Sequence, residues 1–167
     1  MKKNADRKQM FLEARAPEAS RQQVAALPFR RAPELEILLV SSLESKRWIV
    51  PKGWPMKGRT LFAAAAQEAF EEAGVKGVIC EEPVGAFVYD KRKRNGAVWR
   101  CEVDVFALEV QRQSAKWPEK AQRSLRWCDW REAAEIVDDA GLGEVIRAFA
   151  ASPLKAPPSP LKAPPAV

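Results

Sequence analysis

The chain has 167 residues and a formal charge of +6; that length suffices for one domain with a sizeable core, and the charge points to anionic partners such as nucleic acid, polyphosphate or an anionic surface. It contains no histidine, which excludes Ser-His-Asp and Cys-His catalysis, histidine-ligated zinc and histidine phosphotransfer. Acid–base or metal chemistry must therefore rest on carboxylates, lysine, tyrosine or water.

Residues 1–20, "MKKNADRKQMFLEARAPEAS", mix charge and alanine without a period. They lack the apolar stretch of a secretory signal, and no run in the chain approaches the ~20 residues of a membrane span. The expectation is a flexible N-terminal segment on a cytoplasmic protein. A folded domain is expected over residues 21–151. It begins with two strands, "QVAALPFRR" and "LEILLVSS", joined by the turn-like "APE". "RWIVPKG" reads as a short strand stopped by Pro51 and Gly53. A helix is expected from about Thr60 to Ala73, with Gly74 in the position that ends helices in the left-handed conformation. "VICEEPVGAFVYD" reads as extended with a break at Pro83, and "AVWRCEVDVFALEV" alternates as a strand should. "LRWCDW" is a short strand, and "REAAEIVDD" and "GLGEVIRAFAA" are short helices. Strands on both sides of a helix, with more helix at the end, indicate an α/β or α+β sandwich. Residues 152–167 repeat "PLKAPPS" and "PLKAPPA". Such dense proline favours polyproline II over helix or sheet, as in a disordered tail or a docking peptide. Cys80, Cys101 and Cys128 are far apart and odd in number; reduced thiols are expected rather than a disulfide framework or a zinc site.

The helix carries the chemistry. Its period gathers Phe62, Ala65, Ala66, Ala69, Phe70 and Ala73 on one side, where small alanines allow close approach to a sheet. Glu68, Glu71 and Glu72, at i, i+3 and i+4, fall on another. These three carboxylates form either a solvated helix face or a ligand cluster. Two physical arguments disfavour the first. The helix dipole opposes negative charge in the C-terminal half, and like charges at i,i+4 repel. Within the helix no lysine or arginine stands where it would pair with them. A hard divalent cation such as Mg²⁺, which prefers oxygen ligands, would neutralise the cluster.

The stretch from Gly53 to Val75 resembles the signature of the Nudix hydrolases. That signature is a glycine, five residues, a glutamate, seven residues, then Arg-Glu-aliphatic-any-Glu-Glu-any-Gly-aliphatic. Gly53, Glu68, Glu71, Glu72 and Gly74 are in place. Arg59 stands where the family has glutamate and Gln67 where it has arginine, the two positions that in the family help orient the loop and the glutamates. The resemblance implies an α/β/α sandwich around a mixed sheet and hydrolysis of a diphosphate linked to another group, with Mg²⁺ or Mn²⁺. It implies catalytic, metal-ligating roles for Glu68, Glu71 and Glu72, with the Gly53 carbonyl as a further ligand. The sequence does not assign the general base: Glu68 within the signature and Glu119 outside it are candidates, and a metal-bound hydroxide would need neither.

"RWIVPKG", "EEAGVKG", "VGAF" and the basic loop "DKRKRNG" further resemble the diphosphoinositol polyphosphate phosphohydrolases, a subgroup that also takes dinucleoside polyphosphates. The loop places Lys91, Arg92, Lys93 and Arg94 before an Asn-Gly turn. It is either a solvated loop or a clamp for a highly phosphorylated small molecule. Arg21, Lys52, Lys93, Arg94 and Arg126 are the expected substrate-binding residues, and ADP-ribose or another nucleoside-diphosphate-X compound is the alternative substrate. Trp54 replaces a glycine of the subgroup and reads as a loop anchor or a lid. Trp99, Trp117 and Tyr89 read as base platforms or as core. A non-catalytic polyphosphate- or RNA-binding scaffold is the reading of another class, motivated by the charge and the altered signature.

Overall fold

The computed structural model describes residues 20–152; the expected N-terminal segment and proline-rich tail lie outside the described residues apart from Ser20 and Ser152. The elements in chain order are β1 (Arg21–Arg31), β2 (Leu35–Ser41), β3 (Trp48–Ile49), β4 (Lys52–Gly53), α1 (Leu61–Ala73), β5 (Val75–Ile79), β6 (Gly85–Arg92), β7 (Val98–Gln113), β8 (Leu125–Asp129), α2 (Trp130–Ile136) and α3 (Ala140–Ala151). The strands form one mixed sheet with a path β3-β2-β1-β7-β5, while β4 pairs with β1, β6 with β7 and β8 with β2. At its centre β1 runs parallel to β7, Arg21 opposite Cys101 through Phe29 opposite Glu109. The other pairings are antiparallel.

The central strands are buried on both faces, so they read as near-continuous apolar runs. Alternate residues serve opposite cores. Val24 and Ala26 of β1, Leu38 and Val40 of β2, and Phe106 and Leu108 of β7 pack under Ala64, Ala65, Ala69 and Ala73 of α1. Leu27 and Phe29, Ile37 and Leu39, and Val103 and Val105 face α2 and α3 through Ala133, Leu142, Ile146 and Phe149. The Phe29 and Phe149 rings meet edge to face at 5.0 Å, a contact worth about 0.5–1.5 kcal/mol beyond its area. The result is a three-layer α/β/α sandwich, as expected.

Two local expectations need correction. "RWIVPKG" is not one strand. Pro51 has no amide hydrogen to donate, and the chain changes partner there: β3 pairs with β2, whereas β4 pairs with β1, Val24 opposite Gly53. The segment after α1 is extended from Val75, three residues before the expected start at Val78, and its pairing with β7 shifts register between Lys76 and Gly77. Gly77 lies against β7 so closely that a Cβ would sit 1.8 Å from the Glu109 carbonyl oxygen. The basic loop does join two strands: Lys93 N–H donates to the Ala97 carbonyl at 2.8 Å across the β6–β7 turn, with Gly96 at φ +83°.

Candidate functional site

Helix α1 is held at both ends by its own sequence. The Thr60 hydroxyl accepts from the Ala63 N–H at 3.2 Å, an N-cap worth about 1 kcal/mol. Gly74 turns left-handed at φ 67°, ψ 19°, and its N–H reaches the Phe70 carbonyl. The Gln113 side chain then donates to the Ala73 carbonyl at 2.8 Å, and the Glu119 N–H to the Glu71 carbonyl at 3.0 Å. The indole of Trp117 lies where a Cβ on Gly74 would go, 2.3 Å from it; Trp117 is thus a packing residue.

The buried face of α1 is rotated from the expected one. Ala64, Ala65, Ala69, Glu72 and Ala73 are buried, while Phe62, Ala66 and Phe70 are half-buried and line a groove on the outer side of the helix. Alanine has too little bulk to hold the helix off the sheet, so the stripe Ala65–Ala69–Ala73 seats against it and carries Glu72 inward. Glu68, one turn earlier, fills the space beside β4: a Cβ on Gly53 would lie 2.2 Å from Glu68 Oε1.

Glu72 is 5 % exposed. Its Oε1 pairs with Arg123 Nη2 at 3.2 Å, and the same nitrogen pairs with Glu119 Oε1 at 3.2 Å. Arg123 also donates from Nη1 to the Ser41 carbonyl at 3.0 Å. The Glu72 Oε2 is buried without a hydrogen-bond donor among the described residues. Burial pushes the Glu72 carboxyl up to about 8, against the opposing pull of Arg123. Burial likewise raises Glu68 to about 7, helped by the charges of Glu71 and Glu119.

Glu71 behaves differently. Its Oε1 accepts from Gln67 Nε2 at 3.0 Å, and Gln67 Oε1 in turn accepts from Arg59 Nη1 at 3.3 Å. The two residues that depart from the signature thus bond to each other and reach Glu71 as a chain. Arg59 points to Gln67 rather than directly to a carboxylate.

Glu68, Glu72 and Glu119 open into a cleft of about 1360 Å³. Lys52, Lys91, Lys93, Arg94 and Arg47 line the same cleft, so carboxylates and cations face one space. Burial lowers the Lys52 pKa, opposed by the charges of Asp139 and Glu72; its amine sits 4.9 Å from the Tyr89 ring. Tyr89 donates its hydroxyl to Gln23 Oε1 at 2.6 Å and lines the cleft as well. Arg21 and Arg126 are not among the lining residues. The Arg21 guanidinium lies 3.6 Å from the Trp99 ring centroid, and Arg126 pairs with Glu132. Arg123 and the buried state of Glu72 had no signal in the sequence: a lone arginine in "KAQRS" looks like any polar loop residue, and only folding brings residues 72, 119 and 123 together.

The donor set suits a hard cation in kind: carboxylate oxygens, one of them buried and unpartnered, beside a glycine with no side chain in the way. Its arrangement is not closed, since among the described residues no three acidic or thiol side chains converge on one point. The Arg123 guanidinium bridges Glu72 and Glu119, and Gln67 holds Glu71 on the flank. Among the described residues no helix is long and apolar enough to cross a membrane.

Comparison with known proteins agrees with this architecture. The NUDIX domain family matches residues 20–149. "Nudix hydrolase 13, mitochondrial" of Arabidopsis thaliana is 37% identical over 110 residues, covering 62% of this chain and 54% of that protein. The chain spans about half the length of such relatives. Mouse "Diphosphoinositol polyphosphate phosphohydrolase 3-alpha" is 32% identical over 124 residues, covering 72% of this chain and 71% of that protein. Among solved structures, the C. elegans Ap4A hydrolase superposes with a TM-score of 0.58 at 22% identity, covering 79% of this chain and 97% of its own. The NUDIX domain of Shewanella oneidensis NrtR, complexed with ADP ribose, gives 0.57 at 18% identity, with 84% and 96% covered; at these identities the likeness is one of fold. From its signature residues, its three-layer fold and this match over most of its length, the chain belongs to the Nudix family.

Proposed function

We propose that the protein is a metal-dependent pyrophosphohydrolase that cleaves a diphosphate linkage in a highly phosphorylated small molecule, either a diphosphoinositol polyphosphate or a dinucleoside polyphosphate. One observation carries the reading: Glu68 and Glu72 share a single cleft with Lys52, Lys91, Lys93 and Arg94. Cations along such a cleft bind and orient a chain of phosphates, and displacement at phosphorus needs positioning and charge neutralisation more than a covalent group. Glu68, Glu72 and the Gly53 carbonyl would hold Mg²⁺ or Mn²⁺, with Glu71 as the further ligand of the signature. When bound, the ion neutralises phosphate oxygens and makes water more acidic. Arg123 positions Glu72 and Glu119, and the Arg59–Gln67 pair positions Glu71 in place of the usual Glu–Arg pair. Lys93 and Arg94 meet the far phosphates; Lys52 lies nearest the carboxylates along the chain. Arg21 acts through Trp99, and Arg126 stands outside the cleft.

The diphosphoinositol polyphosphate phosphohydrolase relative supports this substrate class. The ADP-ribose complex of a fold relative motivates ADP-ribose as the alternative. A binding-only scaffold is favoured by one observation, the Arg123 side chain bridging Glu72 and Glu119. Product release with Mg²⁺ and with chelator separates them, on a panel of a diphosphoinositol polyphosphate, diadenosine penta- and hexaphosphate, ADP-ribose and capped RNA. Metal-dependent cleavage of the first three compounds is expected. Cleavage of ADP-ribose or cap alone contradicts the substrate class, and tight binding without any cleavage contradicts the hydrolase reading.

A further inference from the structure

Helix α1 carries an apolar groove on the flank opposite Glu68 and Glu72, half a turn away by the helix period. The groove has a volume of about 490 Å³, and in it Phe62, Ala66 and Phe70 of α1 meet Val75 and Ile79 of β5. Both phenylalanines are only half-buried, and apolar surface left in water costs about 25 cal/mol per Å² relative to covering it. Arg59 precedes α1 and Lys76 follows it. Both line the groove, so it extends along the helix, whose 13 residues rise about 20 Å.

The last helix delivers the chain beside this groove. A Cβ on Gly141 would lie 2.9 Å from Phe87 Cβ, and one on Gly85 would lie 3.1 Å from Val145 Cγ1. Helix α3 therefore runs against the direction of β6, and its end approaches the β5–β6 loop. Phe149 packs on Phe29, which stands opposite Glu109, the same residue that Val78 of β5 faces. Ser152 is thus level with β5, the last strand of the sheet path, and the loop there exposes Glu81 and Glu82. Helices α1 and α3 lie on opposite faces of the sheet, so the chain reaches the groove by rounding the β5 edge. Residues 153–167 can span about 45 Å as polyproline II. The groove takes about half of that reach, and the other half remains for the turn around the edge.

We propose that the groove between α1 and β5 is the docking site of the chain's own proline-rich segment, residues 153–167. Such segments dock in aromatic-lined grooves because polyproline II is preformed and loses little entropy on binding. The first repeat crosses the edge, where Lys155 meets the carboxylates of Glu81 and Glu82; complementary charge of this kind fixes register. The second repeat, residues 160–166, lies over Phe62 and Phe70. Polyproline II has three residues per turn, so Leu161 and Pro164 share the side toward the rings. Lys162 then turns to solvent, away from Arg59 and Lys76. The docked segment borders Gln67, through which Arg59 is linked to Glu71. The proposal stands apart from the hydrolase reading and does not depend on it.

The test is the rate of tryptic cleavage after Lys162 in the full chain, compared with that in an acetylated peptide of residues 153–167. Where docking exchanges faster than cleavage, the ratio of the two rates reads the undocked fraction. The expected result is cleavage in the wild-type chain at least about tenfold slower than in the peptide, at every chain concentration. Phe70→Asp, with an unchanged circular dichroism spectrum, should bring the chain within about twofold of the peptide. Leu154→Ser combined with Leu161→Ser, set against a peptide with the same changes, should do likewise while leaving the folded domain untouched. Cleavage of the wild-type chain as fast as the peptide would overturn the proposal and leave the groove to an outside partner. Protection that grows with chain concentration would overturn it in favour of a second copy. Protection that survives both sets of changes would overturn this groove as the site.

Discussion

The Glu68 carboxylate occupies the space that a side chain at Gly53 would need, with Oε1 2.2 Å from the position of a Cβ. The glycine is thus required by a close approach, not by its backbone angles, since its φ is not in the left-handed region. Gly53→Ala must push the carboxylate aside. The far end of a glutamate moves easily, so the fold should survive while the site is misplaced. The expected outcome is a turnover loss of about 100-fold with a melting temperature within a few degrees of wild type, checked by steady-state kinetics and thermal unfolding.

Arg123 is buried with two carboxylates and a backbone carbonyl around it. Arg123→Met leaves Glu72 buried without its partner and should cost about 3–5 kcal/mol of stability. Adding Glu72→Gln should recover part of that loss, because a neutral amide tolerates the same burial. Urea unfolding of the four proteins of this cycle gives a coupling energy; about 0.5–3 kcal/mol is expected for contacting groups.

Lys91, near the end of β6, and Lys93, in the β6–β7 turn, line the cleft. Replacing both by glutamine should raise KM for a polyphosphate substrate by about tenfold and leave kcat within about twofold. The variant should also lose much of the salt dependence of KM, since screening acts on the charges that were removed. Kinetics at low and high ionic strength check both statements.

Burial pushes the Cys128 thiol up to about 11, with the Glu132 charge adding to it and Arg126 opposing. A thiol whose folded pKa is raised keeps its full contribution to stability below the ordinary thiol range. It loses that contribution as pH climbs from about 9 through about 11. Near pH 8 the native protein should therefore resist iodoacetamide at Cys128 while half-buried Cys80 reacts. Peptide mass mapping before and after denaturation reads this directly.

What could be read from the sequence was local. Glu68, Glu71, Glu72 and Gly74 stand at spacings that a helix converts into positions, and Thr60 and Gly74 mark its ends as the structure has them. The strand expected at residues 97–110 alternates and is found as β7, Val98–Gln113, which starts one residue later and ends three later. What could not be read depends on contacts between distant parts of the chain. The parallel pairing of β1 with β7 joins residues 21–29 to 101–109, and nothing local announces it. The rotation of α1 that buries Glu72 follows from how alanines seat on the sheet, not from the helix period. Arg123 was invisible because its role exists only once residues 72 and 119 are near it. Trp54 could be read as anchor or lid; the edge contact with Trp99 shows what holds it.

The most direct test of the central claim is turnover of Glu72→Gln. Glutamine matches the shape of this buried side chain, so it should preserve the fold and remove only the carboxylate that would hold the metal. The account predicts an unchanged circular dichroism spectrum with a loss in metal-dependent turnover of more than about 100-fold, equivalent to roughly 3 kcal/mol of barrier. Turnover equal to that of wild type, in a folded variant, would contradict the assignment of this cleft as the catalytic site.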